Sequence, residues 1–206
     1  SNKDKATVVA TFDMPEQQSE LQVTYEAMAD GRIHVDMHFT PGNKALPEMP
    51  RLGMRMIFKA DYDQMTWLGR GPQENYADRK SGYLIGKYSA SVWEQYHPYV
   101  RAQETANKCD VRWFTLASKA NKGIKVVGDE PLSVSAWNFP QADLLYAPSM
   151  QEHRHGGCVD KKPMVWVNID HRQMGVGGDN TWGAMVHPEY TITPHEWSYG
   201  FTIMKK

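Results

Sequence analysis

The chain has 206 residues, with 23 Lys and Arg against 24 Asp and Glu, a formal net charge of −1. That balance excludes the basic excess of a typical nucleic-acid binder, and 41% hydrophobic with 23% charged residues excludes a disordered chain. No apolar run approaches the roughly 20 residues a helix needs to cross a bilayer, the polar start from Ser1 to Lys5 does not read as a signal peptide, and two cysteines, Cys109 and Cys158, are too few for a disulfide scaffold. Their pairing and the cellular compartment stay open. Seven Trp and ten Tyr beside 16 Gly and 12 Pro favour an all-β protein, of a kind that handles sugars.

In chain order, Leu21, Val23 and Tyr25 alternate with polar neighbours, and Ile33, Val35, Met37 and Phe39 do so again. Side chains on a strand point alternately to opposite faces, so both stretches predict strands with one buried face. Ala29-Asp30-Gly31 between them carries the Asp-Gly pair of a tight hairpin. Further strands are predicted over Met54–Ala60, Met65–Gly69, Tyr83–Tyr88, Pro98–Gln103, Val111–Ala117, Ile124–Val127, Leu132–Asn138, Met164–Asp170, Glu189–Thr193 and Trp197–Met204. The one helix candidate is Gln141–Met150, short and bounded by prolines. Many short strands without helical periodicity between them point to an antiparallel sandwich or barrel in a single domain.

Four segments carry chemistry-bearing residues. The first, Trp67 to Arg79, follows Gly69 and Gly71 with Pro72 and then Glu74, Asn75, Asp78 and Arg79. Those four are either a ligand-binding loop or a structural polar group whose Asp78 and Arg79 charges tie the loop down, and the structural reading is favoured because buried polar groups in loops need partners. The second runs from His97 to Trp113. The third, Asn168 to Gly183, is glycine-rich but has no Gly-Lys-Ser/Thr and no following helix, which excludes a phosphate loop. A tryptophan after such a loop, Trp182, is either core or an indole offered to a ring or sugar face. The fourth, His153, His155 and Cys158, matches no standard zinc spacing and lacks a fourth ligand, so it reads as a polar loop and no metal is expected. No Gly-x-Ser-x-Gly elbow is present for a serine hydrolase.

Gly69-Arg70-Gly71-Pro72-Gln73-Glu74-Asn75-Tyr76-Ala77-Asp78-Arg79 resembles the hallmark of the C-terminal small-chain domain of glycoside hydrolase family 2 β-galactosidases. Pro98-Tyr99-Val100 with Gln103-Glu104 and Asp110-Val111-Arg112-Trp113 does so too, as does Asn168-Ile169-Asp170 with Met174-Gly175-Val176-Gly177-Gly178-Asp179-Asn180-Thr181-Trp182. The resemblance implies an antiparallel β-supersandwich akin to galactose mutarotases. It also implies an N-terminally incomplete piece, whose family strands begin before the equivalent of Val8, of a longer enzyme with a (β/α)8 barrel.

By the same resemblance both catalytic glutamates lie on that barrel, and the acid/base glutamate follows an asparagine. A retaining glycosidase needs two carboxylates about 5 Å apart, and this chain has no Asn-Glu dipeptide, Glu74-Asn75 running the other way. The resemblance therefore implies no catalytic residue and no cofactor here, any Mg or Na ions of the parent enzyme sitting on other domains. It implies that Trp182 reaches into the barrel as a platform for a β-galactoside, with Asp179 and Asn180 supporting its loop, and that the parent is a homo-oligomer. Three other functions compete: a stand-alone carbohydrate-binding module, an aldose 1-epimerase using His97 with Glu104 or His187 with Glu189, and a structural interaction domain.

Overall fold

The computed structural model describes residues 5–42, 45–144, 159–180 and 182–206. Ten strands form one antiparallel sheet: β1 (Lys5–Met14), β2 (Ser19–Met28), β3 (Ile33–Thr40), β4 (Arg51–Lys59), β5 (Gln64–Gly71), β6 (Leu84–Ser91), β7 (Lys108–Ala117), β8 (Gly123–Trp137), β9 (Met164–Gln173) and β10 (Trp197–Lys205). The main path runs β1-β2-β3-β10-β8-β7-β5-β6, and β9 pairs with β8 and β4 off this path. The fold is thus all-β and antiparallel, as its alternating segments predict.

β8 is where the sheet divides. Its first half, Ile124 to Gly128, pairs with β10, whereas Ser133 to Trp137 pairs with β9. The bend between them falls at Gly128, where an added Cβ would lie 2.3 Å from the Glu130 carbonyl oxygen and 2.7 Å from Leu132 Cγ. The two branches then share one core. Val23, Val35, Met37 and Phe201 from the β1–β10 branch join Val165, Val167 and Ile169 from β9. Tyr199 on β10 donates its hydroxyl proton to the Ile169 carbonyl at 2.8 Å. A smaller cluster of Ala102, Ala106, Trp137, Phe139, Leu144 and Val159 sits beyond β8, with Trp93 and Tyr96 against it.

The β2–β3 hairpin forms where the alternation places it. Val35, Met37 and Phe39 are buried, Gly31 takes φ +84°, and its N–H donates to Met28 O at 2.9 Å. Trp67 is buried, while Trp113 and Trp166 are half-buried on their strands.

Four differences from the expected elements have physical causes. β1 is a full strand that the pattern hid: Val8 and Val9, on opposite faces, are 61% and 56% exposed, so no alternation marks it. Ile124–Val127 and Leu132–Asn138 are one bent strand, because Gly128 and Pro131 interrupt the apolar pattern without ending the chain's extension. Pro98–Gln103 is not a strand. Pro98 has no N–H to donate, and the adjoining backbone is satisfied by a side chain, since Thr105 Oγ1 accepts from His97 N at 3.0 Å. Glu189–Thr193 is not a strand either. Pro188 starts a 3-10 turn through Tyr190, closed by the Thr191 hydroxyl donating to Pro188 O. Of the helix candidate only Gln141–Leu144 is described, as a single 3-10 turn; the rest lies outside the described residues, as do His153, His155 and Cys158.

Gly128→Ala tests the bend. Its methyl cannot be placed without moving backbone, so unfolding in urea is expected at a stability lower by about 1–3 kcal/mol.

Candidate functional site

The first two sequence segments meet at a buried carboxylate. Glu74 is 8% exposed. Its Oε2 accepts from the Ala106 N–H at 2.6 Å and the Thr105 hydroxyl at 3.0 Å, and its Oε1 from Arg79 Nη2 at 2.6 Å and from the Tyr99 hydroxyl. Burial works to raise its pKa, but the bonds from Tyr99, Ala106 and Arg79 outweigh it and hold the carboxylate below its usual range. Nearby, Lys108 is fully buried, donates to Ala106 O at 2.9 Å and lies 5.1 Å over the Trp67 ring. Burial pulls its ammonium down to about 8, against the pull of Glu74.

Asn75 completes the splice. Its N–H donates to Asn107 O at 2.8 Å, its Oδ1 accepts from Cys109 N at 2.8 Å, and its carbonyl accepts from Asn107 Nδ2 at 2.9 Å. Arg79 stacks at 4.8 Å over Tyr76, which is fully buried. Glu74, Asn75 and Arg79 thus weld the 72–79 segment to the chain entering β7. Cys109 is buried, and burial pushes its thiol up to about 11.

Asp78 does something different. Its Oδ2 accepts from Val176 N at 2.9 Å and Gly177 N at 2.6 Å, across 98 and 99 residues of sequence. A Cβ on Gly175 would lie 2.7 Å from Asp78 Cγ, which is why the approach needs glycine there. The third segment is therefore tied to the first. Farther along the loop, Asp179 Oδ1 and His187 Nε2 are 2.8 Å apart, a bond that raises the His187 pKa. Trp182 N donates to Asn180 Oδ1 at 2.8 Å, and Gly183 takes φ +100°. Trp182 itself is 92% exposed.

A second polar cluster, missed in the sequence, lies behind this loop. Arg51 on β4 donates to Gln173 Oε1 from Nε and Nη2 at 3.0 and 2.8 Å, and from Nη2 to Glu104 Oε1 at 3.2 Å. Its Nε is 3.1 Å from Asp170 Oδ2, an ion-pair contact without hydrogen-bond alignment. Arg51 and Arg55 lie 5.2 and 5.8 Å over the Trp137 ring. Burial pushes Asp170 up to about 7, opposed by Arg51, and burial raises Glu104 as well. The pairing of β4 with β9 brings Arg51 to Gln173 and Asp170, and no local motif announces it. An open cavity of about 250 Å³, lined by Arg51, Glu104, Gln141, Gln173, Met174, Gly175 and Val176, lies against the cluster.

Neither acid–base pair considered for an epimerase is isolated for such work. Glu104 is engaged by Arg51 and by the Tyr76 hydroxyl at 3.5 Å, His97 packs on Tyr99 with ring centroids 4.3 Å apart, and His187 Nδ1 is 3.8 Å from Glu189 on an exposed face.

The family described as β-galactosidase small chain matches residues 1–203. The chain belongs to that family. Among its relatives, the β-galactosidase of Priestia megaterium is 37% identical over 171 residues, 82% of this chain and 16% of the relative. That of Lactobacillus delbrueckii subsp. bulgaricus is 31% identical over 191 residues, 92% of this chain and 18% of the relative. The small chain thus spans under a fifth of these relatives' length. A crystal structure of galactose 1-epimerase from Lactobacillus acidophilus aligns with all of the small chain at a TM-score of 0.44 and 9% identity.

The cluster behind the loop makes a pH prediction. Asp170 keeps its proton in the folded chain up to about pH 7, whereas an unfolded Asp loses it near pH ~3.9. Between those values the folded state binds more protons, so the Asp170 contribution to stability falls as pH rises through the window. Asp170→Asn should flatten that slope in urea titrations between pH 4.5 and 7.5; an unchanged slope contradicts the assignment.

Proposed function

We propose that this chain is the accessory small-chain part of a β-galactosidase that hydrolyses terminal β-D-galactosides, and that it completes the substrate site with Trp182 while the catalytic glutamates come from a (β/α)8 barrel of the same polypeptide. The observation that carries the reading is an indole 92% exposed at the end of a glycine loop tied down at its base. An indole left in water forgoes the burial that stabilises tryptophan elsewhere in the chain, and a pyranose offers a patch of C–H groups that packs on such a face. Asp179 and Asn180 shape the loop around it, through His187 and the Trp182 N–H. Glu74, Asn75 and Arg79 act as its structural base. On this reading residues 1–206 form most of one domain, without a catalytic residue or a metal of their own, and the parent enzyme is a homo-oligomer.

Covering one indole face removes on the order of 80 Å² of apolar surface from water, worth about 2 kcal/mol, or roughly thirtyfold in affinity. In the full-length enzyme Trp182→Ala should therefore raise KM for a chromogenic galactoside by about ten- to thirtyfold with the thermal midpoint unchanged. An unchanged KM contradicts the reading. The 206-residue chain alone should not hydrolyse the same galactoside; measurable galactose binding by it alone would instead favour a free-standing carbohydrate-binding module.

A further inference from the structure

We propose that Asp78 is the positioning residue for Trp182: on the arm leaving β9, its carboxylate is the last described point at which the loop carrying the indole is fastened to the rest of the fold. The proposal rests on the reading that Trp182 stacks on the sugar.

The geometry is a sequence of anchors that stops at Asp78. Leaving β9, Met174 N donates to Pro50 O at 3.1 Å, and Gly175 N donates across the mouth of the loop to Tyr190 O on its returning arm at 2.9 Å. Val176 N and Gly177 N then both donate to Asp78 Oδ2. Beyond Gly177 the described bonds, Asp179 with His187 and Trp182 N with Asn180, join parts of the excursion to one another. Bonds of that kind give the excursion its shape but do not say where it stands relative to the sheet.

Asp78 is itself held firmly. It lies in a turn closed by Arg79 N donating to Tyr76 O at 2.9 Å, with Tyr76 fully buried and Arg79 bonded to Glu74. Its Oδ1 is buried and has no hydrogen-bond partner among the described residues. The two loop amides are thus the hydrogen bonds that this carboxylate receives. One charged oxygen accepting two successive N–H groups fixes a backbone direction as well as a position, and bonds to a charged acceptor are roughly twice as strong as neutral ones. Gly175 and Gly177 make the approach possible, since a Cβ on Gly177 would already press on Oδ2 at 3.2 Å.

A platform displaced by an ångström loses contact with a sugar held by other groups. The test uses the full-length enzyme with Asp78→Ala, Asp78→Asn, Trp182→Ala and the Asp78→Ala/Trp182→Ala double variant. Hydrogen exchange reads the tether directly. In Asp78→Ala the amides of Val176 and Gly177 should exchange at least about tenfold faster while those of Val167 and Ile169 in β9 keep their protection. KM should rise about tenfold, kcat much less, and the double variant should match Trp182→Ala alone, because both changes remove the same contact. Asp78→Asn keeps the acceptor without its charge and should fall between; it also serves if Asp78→Ala does not fold. Unchanged exchange at Val176 and Gly177 overturns the tether. Effects on KM that multiply in the double variant overturn action through Trp182. If Trp182→Ala alone leaves KM unchanged, the stacking reading and the effect of Asp78 on KM fall together, and the exchange result still decides the tether.

Discussion

A carboxylate taken out of water must find donors on every side, and Glu74 recruits them from three places in the chain. Tyr99, Thr105 with Ala106, and Arg79 all converge on its two oxygens. Removing any one would leave a buried charge short of a partner, which costs more than the bond itself contributes. This constraint fixes the irregular segments around it. The 98–106 stretch has no ladder of its own, so it takes its shape from Glu74 and Thr105. The 72–79 turn is pinned through Arg79, and Asp78, one residue before, inherits that position.

Sequence and structure meet unevenly around this hub. The β2–β3 hairpin was readable because burial on one face leaves a period-two trace, and Asp30-Gly31 supplies the turn. β1 left no trace because neither of its faces is covered, so nothing selects for alternation. Pro98–Gln103 reads as a strand from its local residues, but its backbone bends at Val100 and Arg101 and finds no paired neighbour, which is not written in local sequence. Trp182 stood out through its glycines and its family resemblance. The part played by Asp78 did not, since a bond spanning 98 residues depends on how distant loops meet at one end of a sheet. Arg51 and Asp170 were hidden for the same reason, their encounter being a product of the β4–β9 register.

The two polar clusters behave differently although both are buried. Around Glu74 the donors exceed what a neutral acid could use, and the site holds a charge. Around Asp170 two carboxyl groups share Arg51 with Gln173 competing for the same guanidinium, and the site favours keeping a proton. Arg51, Glu104 and Gln173 of the second line the cavity beside Gly175 and Val176.

The sheet's path has a consequence for how the chain comes into being. The β1–β3 meander and the remaining strands share no ladder except through β10, which lies between β3 and β8. During synthesis β10 is the last of the ten strands to emerge. Until then no ladder among the described residues joins the two halves, and the edges of β3 and of Ile124 to Gly128 on β8 stand open. Order across the whole sheet is thus completed late, by pairings that span more than 150 positions from β10 back to β3, the kind of long-range closure that makes β topologies slow to fold.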